Sequence, residues 1–122
     1  MTARIAQLTI DVRDLEAQAE FWSEALGMTL KVYDDGTAKL HPKSDTGGLI
    51  FWLQPVTGEK REKLRLHLDL RPEPGEDLEA EVQRLLVLGA TRAEVGQTGD
   101  EGFTVLADPE GNEFCVLHSE PR

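Results

Sequence analysis

The chain has 122 residues and a formal net charge of −10 at pH 7, with its acids spread over both halves. That length suits one domain burying roughly two-thirds of its unfolded surface, and the charge argues against nucleic acid and anionic membranes, which call for Lys/Arg clusters. The single cysteine, Cys115, excludes an intramolecular disulfide and suits a reducing compartment. The opening "MTARIAQLTIDV" lacks the apolar run of a signal peptide, and no apolar stretch is long enough to span a bilayer. The expectation is a soluble, cytoplasmic protein.

Taken in chain order, the first element is an alternating strand in "LTIDV", followed by "RDLEAQAEFWSEALG". Leu15, Ala19, Trp22 and Leu26 recur on one face of a 3.6-residue period, which predicts an amphipathic helix. Asp14 is its N-cap candidate, and Gly27 stands where a helix ends in a left-handed residue. Three short strands follow: "MTLKVY", a turn at "DDG", "TAKLH", a loop at "PKSDTGG", and "LIFWLQ". The polar segment "PVTGEKREK" then links to a second half.

That second half opens on "LRLHLDLR", residues 64–71. Leu64, Leu66, Leu68 and Leu70 alternate with Arg65, His67, Asp69 and Arg71, the period-2 pattern of a half-buried strand with a histidine on its polar face. After "PEPGE" come Asp77, again a cap candidate, and an apolar stripe of Leu78, Val82, Leu85 and Leu86, ending at Gly89. "TRAEV", a loop at "GQTGDEG", "FTVLA", a turn at "DPEG" and "NEFCVLH" complete the chain. Asp108-Pro109-Glu110-Gly111 has the Pro and Gly placement of a type I turn. The pattern is βαβββ twice, with "DLEA" and "LG" repeated in both halves. Neither half alone covers both its helix stripe and its sheet, so the prediction is one α+β domain over residues 1–122, with module one at about 1–58 and module two at about 64–122.

A βαβββ pair with "DLEAQAEFWSEALG" after the first strand, "HLDL" opening the second half and "DPEGNEF" before the last strand resembles the vicinal oxygen chelate superfamily. That superfamily includes glyoxalase I, bleomycin-resistance proteins and extradiol dioxygenases. The likeness is closest to small glyoxalase-like proteins and covers nearly the whole chain. It implies two modules with curled mixed sheets around a cleft and helices outside. In the superfamily's enzymes a divalent metal sits in that cleft, held by one residue from the first and one from the last strand of each module. Carried onto this sequence, those positions fall on Gln7, near Phe51, on His67 and on Cys115. A one-for-one alignment of the two halves could instead set Thr9 opposite His67. The resemblance thus leaves two ligands, Gln7 and His67, and no carboxylate at the other two positions. "LIFWLQ" offers no Asp, Glu or His, only Gln54. Hard ions such as Mg²⁺, Mn²⁺ and Fe²⁺ want oxygen donors there.

The expected cleft contacts are therefore Gln7, Thr9, His67 and Asp69 as polar groups, with Phe51, Leu53 and Cys115 as wall. His67 is the candidate general base if there is one. No cofactor is expected; the alternative is a divalent metal on Gln7, His67 and Cys115. Two functions stay open: a metal-free binder of a small organic molecule, as bleomycin-resistance proteins exemplify, and a lyase, isomerase or dioxygenase with a rearranged metal site. Cys115 reads as a small packed hydrophobe, or as a nucleophile if His67 meets it. Phe21 and Trp22 read as core, and His41 and His118 as solvated strand ends. The resemblance also implies a homodimer, and the acidic charge leads to the expectation of no nucleic-acid or membrane partner.

Overall fold

The computed structural model describes residues 2–43, 48–93 and 102–118. The chain divides into two compact units, residues 1–59 and 60–122. Among the described residues each carries a four-stranded mixed sheet and one helix, an α+β arrangement with no closed barrel.

In the first unit β1 (Gln7–Val12) leads into α1 (Leu15–Leu26), then β2 (Thr29–Val32), β3 (Ala38–His41) and β4 (Ile50–Pro55). The Asp14 side chain accepts the Ala17 N–H at 3.1 Å, and Gly27 closes the helix at φ 64°, where a side chain would be strained. The sheet order is β1-β4-β3-β2, with β1 parallel to β4 and the other pairs antiparallel. A parallel pair requires a crossover, and α1 with the β2–β3 hairpin supplies it. Leu15 and Ala19 of α1 pack with Ile10, Val12, Ala38 and Leu53. Phe21 and Trp22 are buried in edge-to-face contact, ring centroids 5.0 Å apart, as core residues. His41 differs from expectation: it is half-buried, and its Nε2 is enclosed without a hydrogen-bond partner among the described residues.

In the second unit β5 (Leu68–Leu70) precedes α2 (Leu78–Leu88), β6 (Thr91–Arg92), β7 (Phe103–Ala107) and β8 (Glu113–Leu117). The order β5-β8-β7-β6 repeats the first sheet, again with a parallel first pair. Asp77 caps α2 by accepting the Ala80 N–H at 2.9 Å. Gly89 ends it at φ 129° rather than in the left-handed helical well, still a conformation that favours glycine. The expected strand over 64–71 shrinks to 68–70, and Leu66 is 86% exposed instead of facing inward. The Leu64 N–H goes instead to the Glu113 carboxylate at 3.2 Å, and Lys60 Nζ donates to the same carboxylate at 2.8 Å. Glu113 thus ties the linker to β8 where strand pairing stops. The 108–111 turn is as predicted, with the Gly111 N–H donating to the Asp108 carbonyl at 2.9 Å. The buried Asp108 carboxylate also accepts from Glu110 N, Asn112 N and Asn112 Nδ2 at 2.9–3.0 Å. "DPEGN" is therefore a self-closed turn. Residues 94–101, most of the expected "TRAEV" strand end and "GQTGDEG" loop, and 44–47 of "PKSDTGG" lie outside the described residues.

Candidate functional site

Residues paired across neighbouring strands share a sheet face. In the first unit Leu8 pairs with Phe51 and Ile10 with Leu53, whereas Gln7, Thr9 and Asp11 pair with Ile50, Trp52 and Gln54. Phe51 (8% exposed) and Leu53 (0%) therefore lie on the face that α1 covers, not on the face of Gln7 and Thr9. Phe51 and Leu53 are core residues, and the residues of β4 on the face of Gln7 and Thr9 are Ile50, Trp52 and Gln54, so of the alternating aromatics Phe51 and Trp52 it is Trp52 that shares that face. Gln7 is half-buried, and Thr9, Asp11 and Gln54 are exposed.

In the second unit the parallel β5–β8 ladder sets Asp69 directly opposite Cys115. His67, two residues before Asp69, brings its ring to the same place. Its Nδ1 lies 3.4 Å from Asp69 Oδ1 and 3.9 Å from Cys115 Sγ, and one donor atom from each residue falls within 4.8 Å of the others. Cys115 is 6% exposed, while the His67 and Asp69 side chains are 33% and 50% exposed. The group has a buried floor and an open rim. Three of the seven sequence-predicted contacts thus meet: His67, Asp69 and Cys115.

The two ladders share one parity: Gln7, Thr9 and Asp11 stand on the face of Ile50, Trp52 and Gln54 in the first unit, and Asp69 on the face of Cys115 in the second.

Electrostatics separates two uses of the cysteine. Burial pushes the Cys115 thiol up, the Asp69 carboxylate beside it pushes the same way by charge and by accepting the S–H, and Lys63 opposes them. The thiol is therefore held neutral, the reverse of an activated nucleophile. Geometry agrees. A nucleophile–base–carboxylate relay uses both ring nitrogens of the histidine, one for each neighbour. Here both neighbours approach Nδ1.

Convergence of nitrogen, oxygen and sulfur on one point is the arrangement a cation needs. A tetrahedral Zn²⁺, with bonds of about 2.0–2.3 Å, sets its ligand atoms about 3.3–3.8 Å apart. The 3.4 and 3.9 Å separations fit that spacing within a small side-chain adjustment. The same set suits Mg²⁺ or Mn²⁺ poorly, because only one donor is a carboxylate and one is sulfur. The expectation of no metal rests on the absence of any carboxylate, and Asp69 supplies one. Its signal is present in the sequence, two residues from His67 on the same strand face. The other β8 carboxylate, Glu113, is committed to Lys60 and Leu64. His118, expected to be solvated, is exposed but shares a 2.7 Å hydrogen bond between its Nε2 and Thr104 Oγ1.

The same architecture is found in solved structures. A fosfomycin resistance protein, FosX, from Listeria monocytogenes, crystallised as a variant with Mn(II) and 1S,2S-dihydroxypropylphosphonic acid, matches with a TM-score of 0.73 at 15% identity, covering 98% of this chain and 93% of its own. FosX from Mesorhizobium loti gives 0.71 at 16% identity, with 98% and 94% covered. A glyoxalase/bleomycin resistance protein/dioxygenase family enzyme from Burkholderia phytofirmans gives 0.71 at 19%, with 93% and 97% covered. At these identities the likeness is one of fold. No curated protein matches the sequence significantly. The family model for the glyoxalase-like domain matches residues 7–117, from the first residue of β1 to the last of β8, and the chain belongs to that family within the vicinal oxygen chelate superfamily.

Proposed function

We propose that this glyoxalase-like chain binds a small organic molecule at the His67–Asp69–Cys115 face of its second unit, without the four-ligand metal site of the superfamily's enzymes. The observation that supports the reading is the meeting of those three side chains, with no carboxylate among Ile50, Trp52, Gln54 and Cys115 on the polar faces of β4 and mid-β8. With Asp69 and Cys115 both on the Nδ1 side of His67, Nε2 is a second polar site for a ligand, and Cys115 provides a neutral, polarizable floor. A thermal-shift screen of metabolites, run in chelator, tests it. A specific ligand raises the melting temperature by mass action, and His67→Ala abolishes that shift while leaving the ligand-free protein folded. A ligand whose shift survives His67→Ala unchanged overturns the reading.

A second reading is catalysis, as a lyase, isomerase or dioxygenase of the superfamily or with His67 as general base. The Asp69 carboxylate 3.4 Å from Nδ1 favours it, because it orients the ring and leaves Nε2 to take a proton. Turnover of a ligand found in the screen, lost in Asp69→Asn while binding remains, would select this reading. The proposal also includes a C₂ homodimer, the commonest oligomer, in a reducing compartment suited to one free cysteine. Light scattering reporting only monomer at high micromolar concentration removes the dimer.

A further inference from the structure

We infer that His67, Asp69 and Cys115 form a three-ligand site for a borderline-soft divalent cation of the Zn²⁺ class, built within the second unit from the start of β5 and the middle of β8. The inference rests on the reading of this face as the functional site and deepens it by naming what the face holds. Four observations carry it. The three donor atoms lie within 4.8 Å of one another, and Asp69 Oδ1 and Cys115 Sγ both approach the same imidazole nitrogen, at 3.4 and 3.9 Å, as a common cation allows and a proton relay does not. The parallel register fixes Asp69 beside Cys115, so two of the ligands are set by backbone pairing. The donor set, one imidazole, one carboxylate and one thiol that becomes a thiolate on binding, balances a dication and favours Zn²⁺ over Mn²⁺ or Mg²⁺. The rim is open at His67 and Asp69 while Cys115 is buried, which leaves a fourth position for water or a ligand oxygen, the pattern of a reactive rather than a structural zinc site.

Asp69 is the distinguishing element. It is not on a last strand, where the superfamily resemblance places the anionic ligands, and it takes the missing carboxylate's part from the neighbouring strand. The site therefore predicts a metal preference of its own.

The test uses the full chain stripped with chelator and titrated separately with Zn²⁺, Mn²⁺ and Co²⁺. The expected result is one Zn²⁺ per chain, bound at least ten-fold more tightly than Mn²⁺. Co²⁺ should give a thiolate-to-metal charge-transfer band that Cys115→Ser removes. Asp69→Asn and His67→Ala should each weaken Zn²⁺ binding ten-fold or more while circular dichroism stays unchanged, since both side chains are partly exposed. Absence of stoichiometric Zn²⁺ binding overturns the inference, as do tighter Mn²⁺ binding, a cobalt band that survives Cys115→Ser, or wild-type Zn²⁺ affinity in Asp69→Asn. The ligand screen in chelator is independent of these outcomes. A ligand shift that needs His67 in a chain that binds no Zn²⁺ would sink the metal site and leave the binding reading standing.

Discussion

In the first unit the parallel β1–β4 ladder sets Asp11 opposite Gln54; in the second the β5–β8 ladder sets Asp69 opposite Cys115. The two sheets share strand order, pairing directions and a helix capped by aspartate. They differ in what their first and last strands carry on the polar face. Thr9, Asp11 and Gln54 offer one carboxylate with a hydroxyl and an amide, groups that solvate well and ligate weakly. His67, Asp69 and Cys115 offer three metal-competent donors that converge. One frame repeated within one chain thus carries scattered polar groups on the first sheet and three donors brought within 4.8 Å of one another on the second.

The comparison breaks most visibly if the faces are misassigned. Leu53→Ala, at a fully buried core position, should cost about 2–5 kcal/mol. The adjacent Gln54→Ala, on the exposed face, should change stability by no more than about 0.5 kcal/mol. Denaturant melts of the two variants check this, and similar costs would mean that β4 is turned over, with Gln54 rather than Leu53 against the helix.

A smaller effect concerns the tie that Glu113 makes in the second unit. Burial works to raise the Glu113 carboxyl, but the hydrogen bonds from Lys60 and Leu64 outweigh it and hold the group below its ordinary value. A depressed folded pKa contributes stability that is present above the ordinary carboxylate range and is lost as pH falls through the folded value. Glu113→Gln should lose about 1–2 kcal/mol at pH 7 and narrow its deficit to the wild type as the pH drops below about 4. Urea melts at neutral pH and in mild acid measure it, and a deficit that grows on acidification would contradict the assignment.

The smallest effect is kinetic. With its thiol held neutral by burial and by Asp69, Cys115 should alkylate more slowly near neutral pH than an unfolded control peptide. Asp69→Asn should speed labelling several-fold by removing the adjacent negative charge. Iodoacetamide rates followed by mass spectrometry provide the reading, and a wild-type rate above the peptide's would point to an activated thiolate.

Much of this is legible in the sequence where local chemistry decides. The Asp14 and Asp77 caps, the glycine at the end of each helix and the Asp108 turn come from short-range hydrogen bonds and backbone freedom, which the residues themselves encode. Facing is legible only where one side of a strand is polar. "LTIDV" shows its parity, whereas "LIFWLQ" has apolar residues on both faces, so only the ladder to β1 decides that Phe51 and Leu53 turn to the helix and Trp52 to the polar face. Alternation also overstates β5. Period 2 continues through Leu64 and Leu66, but a strand exists only where a partner pairs with it, and the ladder to β8 covers 68–70. The convergence of His67, Asp69 and Cys115 depends on that same ladder, a pairing between distant parts of the chain that no local pattern specifies.

The most direct test of the central claim, that the second sheet and not the first holds the competent face, is a Zn²⁺ titration of the ¹⁵N-labelled, metal-stripped chain followed by amide NMR. The account predicts saturable changes at one equivalent, centred on residues 67–69 and 115, with residues 9–11 and 52–54 unmoved. Changes centred on the first sheet would contradict it, and a spectrum that does not respond to Zn²⁺ at all would remove the metal site and leave only the ligand-binding reading of that face.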